Sequence, residues 1–339
     1  MLGRQPLRSQ SHFVKPITFG YRFEFWCAAF GASSRRRAYT ARTMAADNEQ
    51  DQYVTGQVRA HWPHLLASFE ARNAEASALA HWTLDLRYGP HAREVMDLRP
   101  SDGPHLGTLL YLHAGYWQSR DKSQFRFLAP GINALGWDMA LANYPLCPEA
   151  SVTSITASVT QALRQLMAEQ TRRQRSGPVV LCGHSAGAHL AIELALQQAH
   201  DPQALAAPIA GVLAISGIYD LRPLRHTTLN ERLQLDKASA ETASPVLRAS
   251  AGAAPALFLL GDAETPAFHA QSLAMAREWH RHGNGAACVR VAQADHFSVL
   301  EHLGEPSGLL AQTLRRWASS PRTPEAPALL PEGYLHTAL

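Results

Sequence analysis

The sequence has no long hydrophobic run. Nothing in it approaches the roughly 18 consecutive apolar residues of a membrane-spanning helix, so no segment is expected to cross a bilayer. Cysteine is scarce as well: its four copies, Cys27, Cys147, Cys182 and Cys288, lie far apart and form no CxxC pair. That spacing argues against a zinc cluster and a disulfide scaffold and fits a reducing, cytoplasmic setting. An excess of one charge is also missing, since 31 Lys and Arg against 28 Asp and Glu leave a net charge of +3. Beyond the N-terminal segment the basic residues are scattered, with no stripe interleaved with aromatics, so nucleic acid is not an expected partner. No internal repeat is visible. What is present is an ordinary core-forming composition, 46% hydrophobic and 17% charged over 339 residues, enough for one large α/β domain or two small ones.

Residues 1–43 differ from the rest, with a single acid, Glu24, and the triplet Arg35-Arg36-Arg37. Such a stretch reads as a disordered arm, a targeting segment or a mis-assigned start ahead of Met44. Residues 47–80 are polar with a helical pattern, as in a cap over a domain. Strands are expected at 82–88 and 93–98, and buried strands, from their continuous apolar runs, at 106–112, 138–143, 209–216, 256–260 and 287–293. Helical patterns at 125–135, 151–175 and 266–282 fall between them. Strands alternating with helices predict a mostly parallel sheet wound on both faces. The domain is placed at residues 44–319, and the Pro- and Ala-rich residues 320–339 read as a flexible tail.

The stretch with the clearest chemistry follows Pro178. An apolar, β-branched run ends in Gly183-His184-Ser185-Ala186-Gly187, and a pattern of small and apolar helical residues begins at once. Strand, sharp turn and helix with a serine at the tip make a nucleophile elbow, which needs glycine on both flanks because the strand and helix pack closely there. A serine hydroxyl is a poor nucleophile unless a base takes its proton and a carboxylate orients that base. His296, in Ala294-Asp295-His296-Phe297-Ser298 directly after the last strand, is the expected base. Asp262 and Glu264 both lie on the loop expected to carry the acid, and the residue pattern leaves the choice between them open. Backbone donors must also await the developing oxyanion. Ala186, next after the serine, is one, and the loop His113-Ala114-Gly115-Tyr116-Trp117 after the 106–112 strand is placed to supply others, with Tyr116 and Trp117 walling the site.

His113-Ala114-Gly115-Tyr116-Trp117 resembles the HGGxW motif of the arylformamidases, or kynurenine formamidases, in the esterase/lipase branch of the α/β-hydrolases. Residues 141–148, 215–221 and 264–272 resemble the same family, so the likeness runs from about residue 72 to 317. The resemblance implies an α/β-hydrolase fold with Ser185 as nucleophile and His296 as base. It puts the acid at Glu264, where the family usually has Asp, and the oxyanion donors at Gly115 and Tyr116 beside Ala186. His113, Tyr116, Trp117 and His184 are the residues expected to contact substrate. Two departures stand out: Ala114 replaces the first motif glycine, and Glu replaces Asp. The implied reaction is metal-independent hydrolysis of N-formyl-L-kynurenine to kynurenine and formate, needing no cofactor. The alternatives are a carboxylesterase of small-acyl esters and, in another class, a non-catalytic binding protein. A small-molecule substrate is the expected partner, and homodimer formation is left open.

Overall fold

The computed structural model describes residues 48–203, 208–319, 334–337 and 339. The expectations for residues 1–43 lie outside them. Among the described residues the sheet has nine strands in the order β1-β2-β4-β3-β5-β6-β7-β8-β9. They are β1 Thr83–Arg87, β2 Val95–Arg99, β3 Gly107–Leu112, β4 Trp137–Ala142, β5 Val179–His184, β6 Ile209–Ile215, β7 Ala256–Gly261, β8 Ala286–Val291 and β9 Tyr334–Thr337. The six strands from β4 through β8 are mutually parallel, while β1, β2 and β9 are antiparallel to their neighbours. This is the doubly wound, mostly parallel sheet of the α/β-hydrolase fold.

Side-chain alternation along the strands builds two cores. Leu110 and Leu112 of β3, Leu181 of β5 and Phe258 of β7 face the helices Val152–Arg172, Ala186–His200 and Pro266–Arg281. Leu109, Tyr111, Val180 and Leu257 face Trp62–Ser77, Ala129–Ala134 and Leu309–Ser319 on the opposite side. Because both faces are covered, the central strands are almost wholly apolar, with Thr108 and His184 as buried polar exceptions. β3, β5, β6 and β7 contain only buried residues.

Two local outcomes differ from the sequence expectations. The helix expected at 125–135 begins as a 3₁₀ segment, Lys122–Leu128, with Asp121 as a capping-box residue. The α-helix Ala129–Ala134 starts only afterwards, with proline in its first turn, where the missing N–H costs no hydrogen bond. At the other end, residues 334–337 of the expected flexible tail form β9 on the free edge of β8, pairing Cys288 with Thr337 and Val291 with Tyr334. An open sheet edge presents unpaired N–H and C=O groups to any extended segment within reach. No helix among the described residues is long and apolar enough to cross a membrane.

The parallel register brings the C-terminal ends of β3, β5, β6, β7 and β8 to one rim of the sheet, where ligands bind in open α/β folds. All the expected chemistry lies on the loops leaving that rim.

Candidate active site

β5 ends at His184, and the helix Ala186–His200 begins two residues later, so Ser185 must make the whole turn. It does so at φ 57° and ψ −117°, a left-handed conformation that few side chains adopt. Its N–H donates to the Ile215 carbonyl at the end of β6 (2.8 Å), which holds the strained residue in place. The flanking glycines are required by contact: a Cβ on Gly183 would stand 2.0 Å from the Gly187 carbonyl oxygen, and one on Gly187 1.9 Å from that of Leu112. Ala186 is the first helical residue, so its N–H has no intrahelical acceptor and lies at the positive end of the helix dipole.

The loop after β7 carries both expected acids, and the structure separates them. Asp262 turns to Arg290 on β8, with Oδ1 2.5 Å from Nη1, and is partly exposed. Glu264 turns inward, and its Oε2 is 2.8 Å from His296 Nδ1. Its Oε1 accepts the Ser216 hydroxyl at 2.5 Å and the Gly261 N–H at 2.8 Å, so both oxygens are held. Both side chains of the Glu264–His296 pair are buried, at 0% and 6% exposure. With Nδ1 held by the carboxylate, the tautomer with a free Nε2 lone pair is favoured, as a base requires. Ser216, at the end of β6, was not foreseen. Its φ of 49° and its burial are tertiary facts, and a serine ending an apolar strand is a faint sequence signal.

The loop after β3 is tightly wound. Gly115 has φ 126°, Tyr116 51° and Trp117 57°, and the N–H groups of Gln118 and Ser119 both return to the Gly115 carbonyl. A Cβ on Gly115 would fall 2.2 Å from the Ser119 carbonyl oxygen, so this motif glycine is irreplaceable. At the other motif position Ala114 is accommodated and buried, without positive φ. The Tyr116 hydroxyl donates to the Tyr53 carbonyl.

The other residues expected to contact substrate support these loops from behind. The His113 ring stacks on Tyr144 (4.2 Å) on one side and faces Phe125 (6.1 Å) in near-parallel orientation. Its Nδ1 lies against the Ala114 carbonyl, and burial lowers its pKa to about 4, so it is neutral. Trp117 is fully buried, edge-on to His189 of the elbow helix at 5.0 Å. His184 Nε2 donates to the His296 backbone carbonyl at 2.7 Å, and burial, reinforced by His296, lowers its pKa well below the ordinary value. The His184 ring therefore ties the residue before the elbow serine to the backbone of His296. Cys147 is no competing nucleophile, since burial raises its thiol pKa to about 11. Among the described residues no three His, Cys, Asp or Glu side chains converge as a metal site.

The N-terminal segment from Asn48–Tyr53 to Trp62–Ser77 is stitched to the loops after β3, β7 and β8. Gln57 Nε2 donates to Thr265 Oγ1 at 3.0 Å, Thr265 Oγ1 to the Gln52 carbonyl at 2.6 Å, and Arg59 to the Ala263 carbonyl at 2.6 Å. Trp62 Nε1 and His61 Nε2 meet Asp295 Oδ2 at 3.0 and 2.8 Å, while Asp295 Oδ1 accepts the N–H groups of Phe297 and Ser298. Burial alone would raise the Asp295 pKa; the Ser298 and Phe297 N–H groups, the Trp62 indole and His61 outweigh it and hold the carboxyl below its usual range. A depressed folded pKa means that the unfolded chain binds more protons, so this contribution is complete above the ordinary carboxylate range and is lost as pH falls through the folded value. Asp295→Asn is therefore expected to lower stability by about 1–3 kcal/mol near neutrality. In urea unfolding, the gap between wild type and variant should narrow as pH falls to about 3; a gap that widens there would contradict the assignment.

Comparisons with known proteins place this geometry. A family model for the alpha/beta hydrolase fold matches residues 109–300. The kynurenine formamidase of Danio rerio is 28% identical over 264 residues, covering 76% of this chain and 87% of the fish protein. That of Salmo salar is 26% identical over 293 residues, covering 80% and 96%. Among solved structures, a candidate thioesterase from Silicibacter sp. superposes with a TM-score of 0.69 at 31% identity, covering 79% of this chain and 99% of its own. Sheet order, elbow and sequence relatives agree: the chain belongs to the α/β-hydrolase family and is similar within it to the kynurenine formamidases.

Proposed function

We propose that the protein is a metal-independent serine hydrolase that removes the formyl group from N-formyl-L-kynurenine. Ser185 Oγ attacks the formyl carbon while His296 Nε2 takes its proton, and Glu264 holds the imidazolium through Nδ1. The oxyanion accepts N–H groups from Ala186 and from the Gly115–Tyr116 loop. His296 then returns the proton to the aryl nitrogen as the C–N bond breaks, releasing kynurenine and leaving a formyl ester on Ser185. Water, deprotonated by His296, attacks that ester, and formate departs with regeneration of the serine. The observation that carries this reading is the buried Glu264 Oε2–His296 Nδ1 contact of 2.8 Å, which stands beside an elbow whose serine is held at φ 57° and whose preceding His184 ring lies 4.8 Å from that of His296. The names of the fish relatives favour the formamide.

Hydrolysis of small esters or thioesters is a second reading, favoured by the Silicibacter relative. Steady-state kinetics separate the two. A kcat/KM of about 10⁴ M⁻¹s⁻¹ or more for N-formyl-L-kynurenine is expected, the ordinary enzymatic range. Turnover of p-nitrophenyl acetate alone would leave an esterase. EDTA should have no effect and a serine-directed phosphonate should inactivate; loss of activity in EDTA would exclude the metal-independent mechanism.

A further inference from the structure

Several cations packed around the loop after β3 face a carboxylate. Arg93 approaches Asp121 at 3.5 Å, Lys122 bridges Asp85 and Asp97 at 2.7 and 2.8 Å, and Arg126 grips Asp97 at 2.6 Å. Arg120 does not. Among the described residues its guanidinium has no carboxylate and no hydrogen-bond acceptor, and lies over the Phe297 ring, 5.2 Å from its centroid.

The position of that charge is specific. Phe297 follows His296 in the chain, and its ring stands 5.5 Å from the His296 ring and 5.7 Å from that of His184, the residue before Ser185. The positive field of Arg120 reaches His184 and His113, where it opposes protonation. The backbone is fixed as well: Arg120 has φ 77°, and its carbonyl accepts from Arg93 Nη2 at 2.8 Å. Burial lowers the pKa of its own guanidinium, and no opposite charge compensates. A partly desolvated, unpaired cation is costly, and such groups collect at functional sites.

We propose that Arg120 is the receptor for a carboxylate on the substrate, so that the site prefers anionic acyl amides and esters to neutral ones. A planar guanidinium beside an apolar ring suits a carboxylate, which it can engage through two parallel N–H···O bonds. The proposal rests on the hydrolase reading above and narrows it, since N-formyl-L-kynurenine carries a carboxylate remote from its formamide.

Two substrate pairs test it: N-formyl-L-kynurenine against its decarboxylated analogue N-formylkynuramine, and mono-p-nitrophenyl succinate against p-nitrophenyl butyrate. The readout is the ratio of kcat/KM, anionic over neutral, for wild type, Arg120→Gln and Arg120→Lys. Loss of a charge-assisted pair should lower this ratio about 10- to 100-fold in Arg120→Gln, mainly through KM. Arg120→Lys, which keeps the charge but not the fork, should recover part of it. A merely structural role would depress both members of a pair alike, so an unchanged ratio in Arg120→Gln overturns the proposal. If the ester ratio falls while wild type ignores both formamides, Arg120 stands and the formamidase reading fails. If wild type hydrolyses formylkynurenine and neither ratio moves, the reverse holds.

Discussion

Replacement of Ser185 by alanine is expected to lower kcat by about 10⁴- to 10⁶-fold while leaving the fold intact, because in the proposed mechanism the serine oxygen is the atom that forms the covalent bond. The size follows from the cooperation of the group. Without the nucleophile, neither the Glu264-held imidazole nor the oxyanion donors can act on a covalent intermediate, and only binding and electrostatic stabilisation remain. The fold should survive because the Ser185 hydroxyl makes no capping hydrogen bond to the helix it precedes. The backbone bond from Ser185 N–H to Ile215 is independent of the side chain. Alanine has a Cβ like serine, so the strain at φ 57° is unchanged. The unfolding midpoint should therefore shift little. Hydrolysis of formamide and ester substrates should be measured together with that midpoint. A variant that unfolds normally and keeps more than a tenth of wild-type activity would remove Ser185 from the mechanism.

The elbow and the sheet were legible because they are written in local pattern. Apolar runs of strand length mark β3 to β8 to within two residues of their ends, since a strand covered on both faces is built mainly from apolar side chains. Gly183 and Gly187 were legible for a similar reason: no other residue fits against the Gly187 and Leu112 carbonyls. The acid was not. Asp262 and Glu264 stand two residues apart on one loop, and what separates them is Arg290 on β8 and Ser216 on β6. Neither partner is near them in sequence. His113, Trp117 and His184 were expected at the substrate because they belong to the motifs, yet each is engaged by an interior partner: Tyr144, His189 or the His296 carbonyl. The N-terminal cap was legible as helix but not in its task. The contacts of Gln57, His61 and Trp62 with Thr265 and Asp295 span more than two hundred positions and leave no periodic trace.

Glu264→Gln is expected to lower kcat by about 10³- to 10⁴-fold, although it changes one atom and keeps the shape of the side chain. The reason lies at the other oxygen. Oε1 accepts two donors, the Ser216 hydroxyl and the Gly261 N–H, so a glutamine must place its carbonyl oxygen there. Its NH₂ group then faces His296 Nδ1, which can only accept from it, and the ring proton is driven to Nε2. An imidazole protonated at Nε2 cannot take the proton of Ser185. Glu264→Asp keeps the charge but shortens the arm by one methylene, stretching one of the two sets of contacts, and should retain more activity than the glutamine variant. Asp262→Asn, by contrast, breaks only a partly exposed pair with Arg290 and should leave kcat within about twofold, as surface ion pairs contribute little. Proton NMR offers an independent check: the downfield Nδ1–H resonance of His296 should be present in wild type and absent from Glu264→Gln. If Asp262→Asn loses the activity and Glu264→Gln keeps it, the acid has been assigned to the wrong carboxylate, and the contact of Glu264 with His296 is structural.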